Sequence, residues 1–399
     1  MIVVGAGPAG ASLAAGLARA GASVLLLDRT RFPRDKACSG YLSPASTPLL
    51  ERLDGTLIPA IECSAPGRLF GMRVVAPDGS WAEGRFAGRF GFAVPRTVLD
   101  TLLVQTAARA GALIEEGTLV EELLYDQGAV GGVVARSVSG SRWTIRARVV
   151  VGADGLRSVV ARRLGLRRTT PPARLAFSAH FAGVAQVGDV GEMHVGRTGY
   201  VGLGPIGDSV TTTALVIPAA DARHRATTLR TRSGLVRALD QFTGLRGRFA
   251  SAGLARDVLV TGPFAQWSRR TVAPGGGALL VGDAADFFDP FTGQGLYSAL
   301  RGAELAAATI GTALAAGGRG PLSAAALAPY AAARRRAFAE KWLLERLIGI
   351  GIGWPWLARR VIGRLARRPG LADLLVGATG NVVPARLVFA PSFLIRLLV

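Results

Sequence analysis

The sequence predicts an α/β protein in which a parallel-sheet domain is interleaved with a mixed β-sheet domain and followed by a helical carboxyl-terminal region. Three observations carry this. Short hydrophobic runs at 2–4, 149–151 and 278–281 each end in a glycine-rich or acidic turn. Between them, stretches such as 209–216 alternate apolar and polar residues at period two, the pattern of a sheet with one covered face. After residue 320 the chain becomes apolar, basic and rich in helix formers. With 399 residues, half of them hydrophobic, a large core and more than one compact unit are expected.

Ile2-Val3-Val4 reads as a buried parallel strand. It runs into Gly5-Ala6-Gly7-Pro8-Ala9-Gly10, and an Ala-rich helix follows from Ala11 to about Ala20. A G-x-G-x-x-G between strand and helix is a phosphate cradle. Gly5 permits the tight turn, Gly7 lets backbone approach a diphosphate, and Gly10 allows close helix–strand packing. Pro8 and Ala9 complete the turn at the positive end of the helix dipole. A second strand, Ser23–Leu27, ends in Asp28, with Arg29 beside it. An acid there accepts hydrogen bonds from ribose hydroxyls. Such strands are usually preceded by one or two more residues, which leaves open a native start upstream of Met1.

The glycine loop alone does not choose between FAD and NAD. Two distant segments do. Val149-Val150-Val151 leads into Gly152-Ala153-Asp154-Gly155, and Leu279-Leu280-Val281 leads into Gly282-Asp283. Asp283 leaves its strand where a ribityl hydroxyl would lie. Beyond Pro290, the turn Gly293-Gln294-Gly295 opens a helix from Leu296 to about Leu314. Its amino terminus would stabilise negative charge on a reduced flavin. An NAD dehydrogenase needs no second acidic strand end so far downstream. The cofactor expected is FAD.

Together these segments resemble the flavoprotein superfamily that contains the geranylgeranyl reductases and the class A, para-hydroxybenzoate hydroxylase-like monooxygenases. The resemblance implies an FAD-binding Rossmann-like domain of glutathione-reductase type. It implies that Gly5, Gly7, Gly10 and Asp28 hold the ADP half, Asp154 and Gly155 lie near the diphosphate, and Gly282 and Asp283 bind ribitol. Arg96, in Val94-Pro95-Arg96, matches a family arginine that opens a helix and touches FAD.

The stretch Phe32-Pro33-Arg34-Asp35-Lys36-Ala37-Cys38-Ser39-Gly40 resembles the geranylgeranyl-reductase branch, with Ser39 either inserted before the usual glycine or replacing it. There the cysteine turn packs near flavin and substrate. Cys38 has two readings: a pocket residue assisting protonation, or a small thiol that only packs. The reductase branch also carries Tyr-x-Trp-x-Phe-Pro-Lys. Here the segment reads Tyr200-Val201-Gly202-Leu203-Gly204-Pro205-Ile206, with glycines in place of the aromatics, which opens the pocket to something bulkier. The halogenase signature is only mimicked by Trp354-Pro355-Trp356, far from its place.

These readings assign 1–60, 96–165 and 261–320 to the FAD domain, 61–95 and 166–260 to the substrate sheet, and 321–399 to the helical region. No second glycine loop follows a strand, so NAD(P)H would dock transiently as electron donor. The net charge is +20, almost all from arginine. No nucleic-acid motif accompanies it, and no nucleic-acid partner is expected. The tail holds twelve Arg or Lys against Glu340, Glu345 and Asp373, interleaved with Trp and Leu. It suits either a peripheral membrane surface or a cap on the substrate domain. Two cysteines give no disulfide framework, and His180, His194 and His224 show no metal-ligand spacing. No signal-like segment precedes the first strand and no span is long enough to cross a bilayer, so the expected place is the cytoplasm. The oligomeric state is not legible.

The function expected is reduction of a carbon–carbon double bond in a hydrophobic isoprenoid or polyprenyl substrate. The alternative is a class A monooxygenase hydroxylating an aromatic or polyketide ring with NAD(P)H and O2. A non-enzymatic electron carrier is a third reading.

Overall fold

The structure is a computed structural model and describes residues 1–170, 173–197, 199–207 and 209–398. Five short strands form a wholly parallel sheet: β1 (Ile2–Val4), β2 (Leu25–Asp28), β3 (Leu113–Glu116), β4 (Val150–Gly152) and β5 (Ala278–Leu280). Their spatial order is β5-β4-β1-β2-β3. Val3 lies opposite both Val151 and Leu26, and Val151 opposite Leu279. This register puts every acidic or glycine turn at one carboxyl edge, where open α/β sheets bind ligands. The edge is sewn by backbone bonds from Gly5 N to Leu27 O (2.7 Å), Ala153 N to Val4 O (2.8 Å) and Val281 N to Gly152 O (2.9 Å).

Helices α1 (Pro8–Arg19), α2 (Arg96–Arg109) and α3 (Gly295–Ala315) cover one face of this sheet, burying Leu13, Leu17, Leu99, Leu103 and Ile310. An antiparallel meander, Thr118–Asp126, Ala129–Ser137 and Arg142–Arg146, covers the other through Val120 and Val133. Both faces are dry over β1, β4 and β5, which is why these strands read as unbroken apolar runs, while the edge strand β3 (Leu-Ile-Glu-Glu) is partly exposed.

A seven-stranded mixed sheet stands over the carboxyl edge. Its order is 253–261, 174–182, 210–218, 200–207, 191–195, 71–75 and 81–85. Only the pair 191–195 and 71–75 is parallel. The period-two reading of 209–216 predicted one covered face. The strand Val210–Pro218 is instead buried along nearly its whole length. Helices Ala219–Leu229 and Arg232–Leu239 pack on one face through Leu215 and Leu235. The other face turns Thr212, Ala214 and Val216 into a cavity above the parallel sheet. Thr211, Thr212 and Thr213 are all buried and only Thr212 lines the cavity, so these polar residues do not mark a solvated face.

The carboxyl-terminal region is helical: α4 (Ala324–Ile352), α5 (Pro355–Ala366), α6 (Pro369–Thr379) and α7 (Pro391–Leu398). Helix α4 docks on the parallel sheet where Tyr330 Oη donates to the Leu280 carbonyl at 2.9 Å. Helix α6 lies on the edge strand Trp81–Arg85. A Cβ at Gly84 would meet the Ala372 carbonyl oxygen at 2.4 Å, so only glycine allows that approach. The Asp373 carboxylate accepts from Arg85 N at 2.8 Å. No helix among the described residues is long and apolar enough to cross a membrane.

Candidate active site

One cavity joins the glycine loop to the seven-stranded sheet. Gly7, Pro8, Ala9, Cys38, Arg96, Gly155, Asp283, Pro290, Gly293 and Gly295 all line it. The topology thus gathers residues nearly 290 positions apart: Gly7, Gly155 and Asp283 each sit just past a strand of the same sheet edge, and Cys38, Arg96 and Gly293 reach it from other segments.

The glycines differ in what they do. A Cβ at Gly10 would sit 1.8 Å from the Gly5 carbonyl oxygen, and one at Gly5 would meet Ala153 O at 2.6 Å. These two serve packing. A Cβ at Gly7 would meet only Arg34 Nη2 at 3.6 Å and Arg96 Nη2 at 4.0 Å. Gly7 therefore leaves open space bounded by two guanidinium groups. It caps α1, whose first amides have no intrahelical partner. At the far side, Gly282 (φ +58°) presses on Ala9, and a Cβ at Gly293 (φ +67°) would strike the Tyr41 ring at 2.7 Å.

The charges are the centre of the site. Arg96 donates through Nε and Nη2 to both oxygens of Asp100, each at 2.7 Å. Arg34 Nη1 reaches the same carboxylate at 2.9 Å. The Cys38 sulfur lies beside the Arg96 guanidinium and favours its charge. Burial opposes the Arg96 charge, yet Asp100 and Cys38 hold its pKa above the usual guanidinium value. Lys36 lies near Gly155, whose Cβ would stand 3.5 Å from Nζ. Burial first, and then Arg96, push the Lys36 pKa down. Asp283 faces the same group, and its pKa is raised by burial against the pull of Lys36 and Arg96. Three cations thus confront two carboxylates beside open glycine backbone. A low-dielectric pocket with surplus positive charge and free helix amides is built for a multivalent anion.

Arg34, Lys36 and Asp100 were not singled out from sequence. The signal was present. Arg34 and Lys36 are two apart in an extended segment, so they share a side. Asp35 points the other way and pairs with Arg256 at 3.2 Å. Asp100 lies four residues after Arg96 on α2, within helical pairing distance.

Several expected cofactor residues hold the frame instead of lining the cavity. Asp154 accepts from Ser158 Oγ and Val159 N, both at 2.6 Å, and so caps the helix Val159–Arg163. Its neighbour Gly155 takes the cavity position. Gln294 donates to the Thr379 carbonyl at 2.7 Å, tying the turn before α3 to α6. Asp28 accepts from Ala6 N at 2.7 Å and from Thr30 N at 2.9 Å, which locks the glycine loop to β2. Arg29 is exposed.

Above this floor the walls are apolar: Leu69, Met72, Met193, Leu203, Phe264, Phe287 and Phe291. Gly202 and Gly204 line it too. Tyr200 stands over Phe291 edge-on, with ring centroids 5.0 Å apart, and donates to Asp289. Arg174 closes on Asp289 at 2.7 Å, so this trio fixes the turn before α3 against the sheet. Cys38 and Cys63 are both free thiols, and no metal-ligating cluster occurs among the described residues.

The residues fit FAD. Gly7 leaves room for a diphosphate between Arg34 and Arg96, Asp283 offers a carboxylate for ribityl hydroxyls, and the first turn of α3 points amides into the cavity. A family model described as an FAD binding domain matches residues 1–344. A digeranylgeranylglycerophospholipid reductase from Methanothrix thermoacetophila is 30% identical over 332 residues, spanning 80% of this chain and 79% of that one. A menaquinone reductase from Mycolicibacterium smegmatis is 38% identical over 171 residues, 41% of this chain and 39% of its own. The solved structure of a geranylgeranyl bacteriochlorophyll reductase-like protein from Thermoplasma acidophilum shares the fold with a TM-score of 0.80, at 19% identity, over 99% of this chain and 97% of that one. On the cavity and these matches together, the chain belongs to the FAD binding domain family and is an FAD-dependent oxidoreductase.

Proposed function

We propose that this oxidoreductase saturates carbon–carbon double bonds in the isoprenoid chain of a lipid. The observation that carries the reading is the shape of the cavity. A charged floor that suits FAD shares one cavity with apolar walls, and Gly202 and Gly204 leave part of those walls without side chains. The relatives named as reductases of isoprenoid lipids support it.

When bound, FAD supplies a two-electron hydride donor. The chain's own groups do the rest. Arg34, Lys36 and Arg96 hold the diphosphate, and Asp283 orients the ribityl chain. Met193, Leu203, Phe264 and Phe291 hold the alkene and exclude water, which supplies most of the orientation. An alkene also needs a proton on its second carbon. Cys38 Sγ is the thiol of the cavity and, beside the Arg96 guanidinium, would supply that proton. A nicotinamide would dock transiently if it is the donor.

The test is anaerobic incubation of the FAD-loaded protein with an unsaturated isoprenoid lipid, using dithionite and NADPH in separate arms. A mass gain of two hydrogens per double bond is expected. A gain of one oxygen that needs air would replace this reading with a monooxygenase.

A further inference from the structure

A second cavity, of about 480 Å³, lies on the other side of the short strand Asp286–Phe287, whose Phe287 lines the first. That short strand shows its alternate faces to the two sites: Phe287 lines the FAD cavity, while Asp286 and Phe288 line the second. The opposite walls are α4 and the turn 267–274. Five arginines line this space, Arg269, Arg270, Arg334, Arg335 and Arg346, against the single carboxylate of Asp286. Arg334 takes that carboxylate at 2.6 Å. It is only 4% exposed, and its Nε is buried without a hydrogen-bond partner among the described residues. No carboxylate among the described residues pairs with the other four.

Like charges gathered in one concavity repel unless an anion joins them. The rings present sharpen the choice of anion. Arg334 lies over Trp342 at 5.1 Å and Arg346 over Phe288 at 4.9 Å. The aromatic faces are therefore occupied in aiming guanidinium forks, and a guanidinium fork matches phosphate oxygens in pairs.

The surroundings name the source of the phosphate. One step round α4 from the cavity face, Leu343, Leu347 and Ile350 are exposed at spacings of four and three, a single stripe. The stripe ends at Trp354 and Trp356, both more than half exposed and stacked with centroids 6.1 Å apart. Of the thirteen large hydrophobic side chains exposed among the described residues, eight lie between 343 and 395. An arginine cavity beside an apolar, tryptophan-tipped stripe has the chemistry of a phosphate–hydrocarbon boundary.

We propose that this cavity binds the phosphate of an anionic phospholipid at a bilayer surface, with the α4 stripe and the tryptophan pair seated in the adjoining hydrocarbon. The site lies outside the FAD cavity and goes beyond the reductase reading, so its test needs no turnover.

The FAD-loaded full chain is floated with vesicles of phosphatidylcholine alone or mixed with phosphatidylglycerol. Flotation with the anionic vesicles only, weakening with salt, is expected. The pair Arg269→Gln and Arg335→Gln, both exposed, should lower partitioning on the order of thirtyfold, since each arginine at an anionic surface contributes roughly fivefold. The pair Leu347→Ser and Ile350→Ser should also reduce it. Retained flavin absorbance reports that each variant folds. Equal binding to both vesicle types, no flotation at all, or unchanged binding by the arginine pair would overturn the proposal. So would tryptophan quenching by inorganic phosphate or NADPH that phosphatidylglycerol does not compete, because the site would then serve a soluble phosphate.

Discussion

At the scale of single residues, Asp100 is the hinge of the charged floor. It is fully buried and holds Arg34 and Arg96 together. Asp100→Asn leaves two cations without a counter-charge, and we expect a loss of about 3 kcal/mol in thermal or denaturant unfolding. Adding FAD should recover part of it, because a diphosphate supplies the missing anion; an equal loss with and without FAD would contradict the assignment of this floor. Cys38→Ala should leave FAD binding intact while lowering kcat about 10²-fold, the scale of a lost proton donor. Unchanged kcat would return Cys38 to packing alone. Two buried groups, His180 behind the cavity lining and Glu192 in it, contribute to acid stability. Burial, and then Arg256, press the His180 pKa down to about 4. Its neutral form is the folded one, so stability is lost as pH falls from 6.5 towards 4. Glu192 is held down at about 2 by His194 and Arg248, against the opposing effect of burial. Its contribution is present above 4.5 and is lost as pH falls towards 2. Unfolding followed against pH should show both windows, with His180→Gln removing the upper one and Glu192→Gln the lower.

At the scale of elements, the glycine loop separates packing from binding. Gly10→Ala forces a methyl into the Gly5 carbonyl, so misfolding or a large loss of stability is expected. Gly7→Ala meets only ordinary contact distances to two flexible side chains. Its fold should stay within about 0.5 kcal/mol of the parent, while FAD affinity falls about a hundredfold because the methyl stands where phosphate must approach. Calorimetric titration with FAD beside a melting curve distinguishes the two. The strand Tyr200–Gly207 has a comparable site. A Cβ at Gly204 would lie 3.5 Å from Leu69, an ordinary contact. Gly204→Phe should therefore fold and bind FAD but raise KM at least tenfold for long isoprenoid lipids, by filling the cavity.

At the scale of the whole molecule, the carboxyl-terminal helices are joined to both sheets. Tyr330 fastens α4 to the parallel sheet, Arg334 fastens it to the short strand Asp286–Phe287, and α6 rides on Gly84 of the seven-stranded one. Gly84→Val drives a side chain into the Ala372 backbone and should lower Tm by several degrees and expose the tail to protease. An unchanged digestion pattern would mean the tail is held elsewhere. The same arrangement places the arginine cavity and the exposed stripe of α4 on one side of the molecule, next to the wall it shares with the FAD cavity.

The local motifs were legible from sequence alone. Strand, glycine turn and helix are determined by residues within about ten positions of one another, and Gly5, Gly7, Gly10 and Asp283 announce themselves by type and spacing. The cofactor followed from three such motifs in order. What the sequence did not show is where side chains point once the strands are laid side by side. Asp154 and Gln294 look like cofactor contacts in a string; in the fold Asp154 accepts from a helix amino terminus and the Gln294 amide nitrogen donates to Thr379, while Gln294 Oε1 is buried without a partner among the described residues. Arg34 and Lys36 look like surface charge, yet the extended segment turns both inward. The arginine cavity joins residues of the 267–274 turn to residues of α4 some sixty positions later, with no local pattern in either. Burial and charge balance are sums over neighbours in space, so only the tertiary structure decided them.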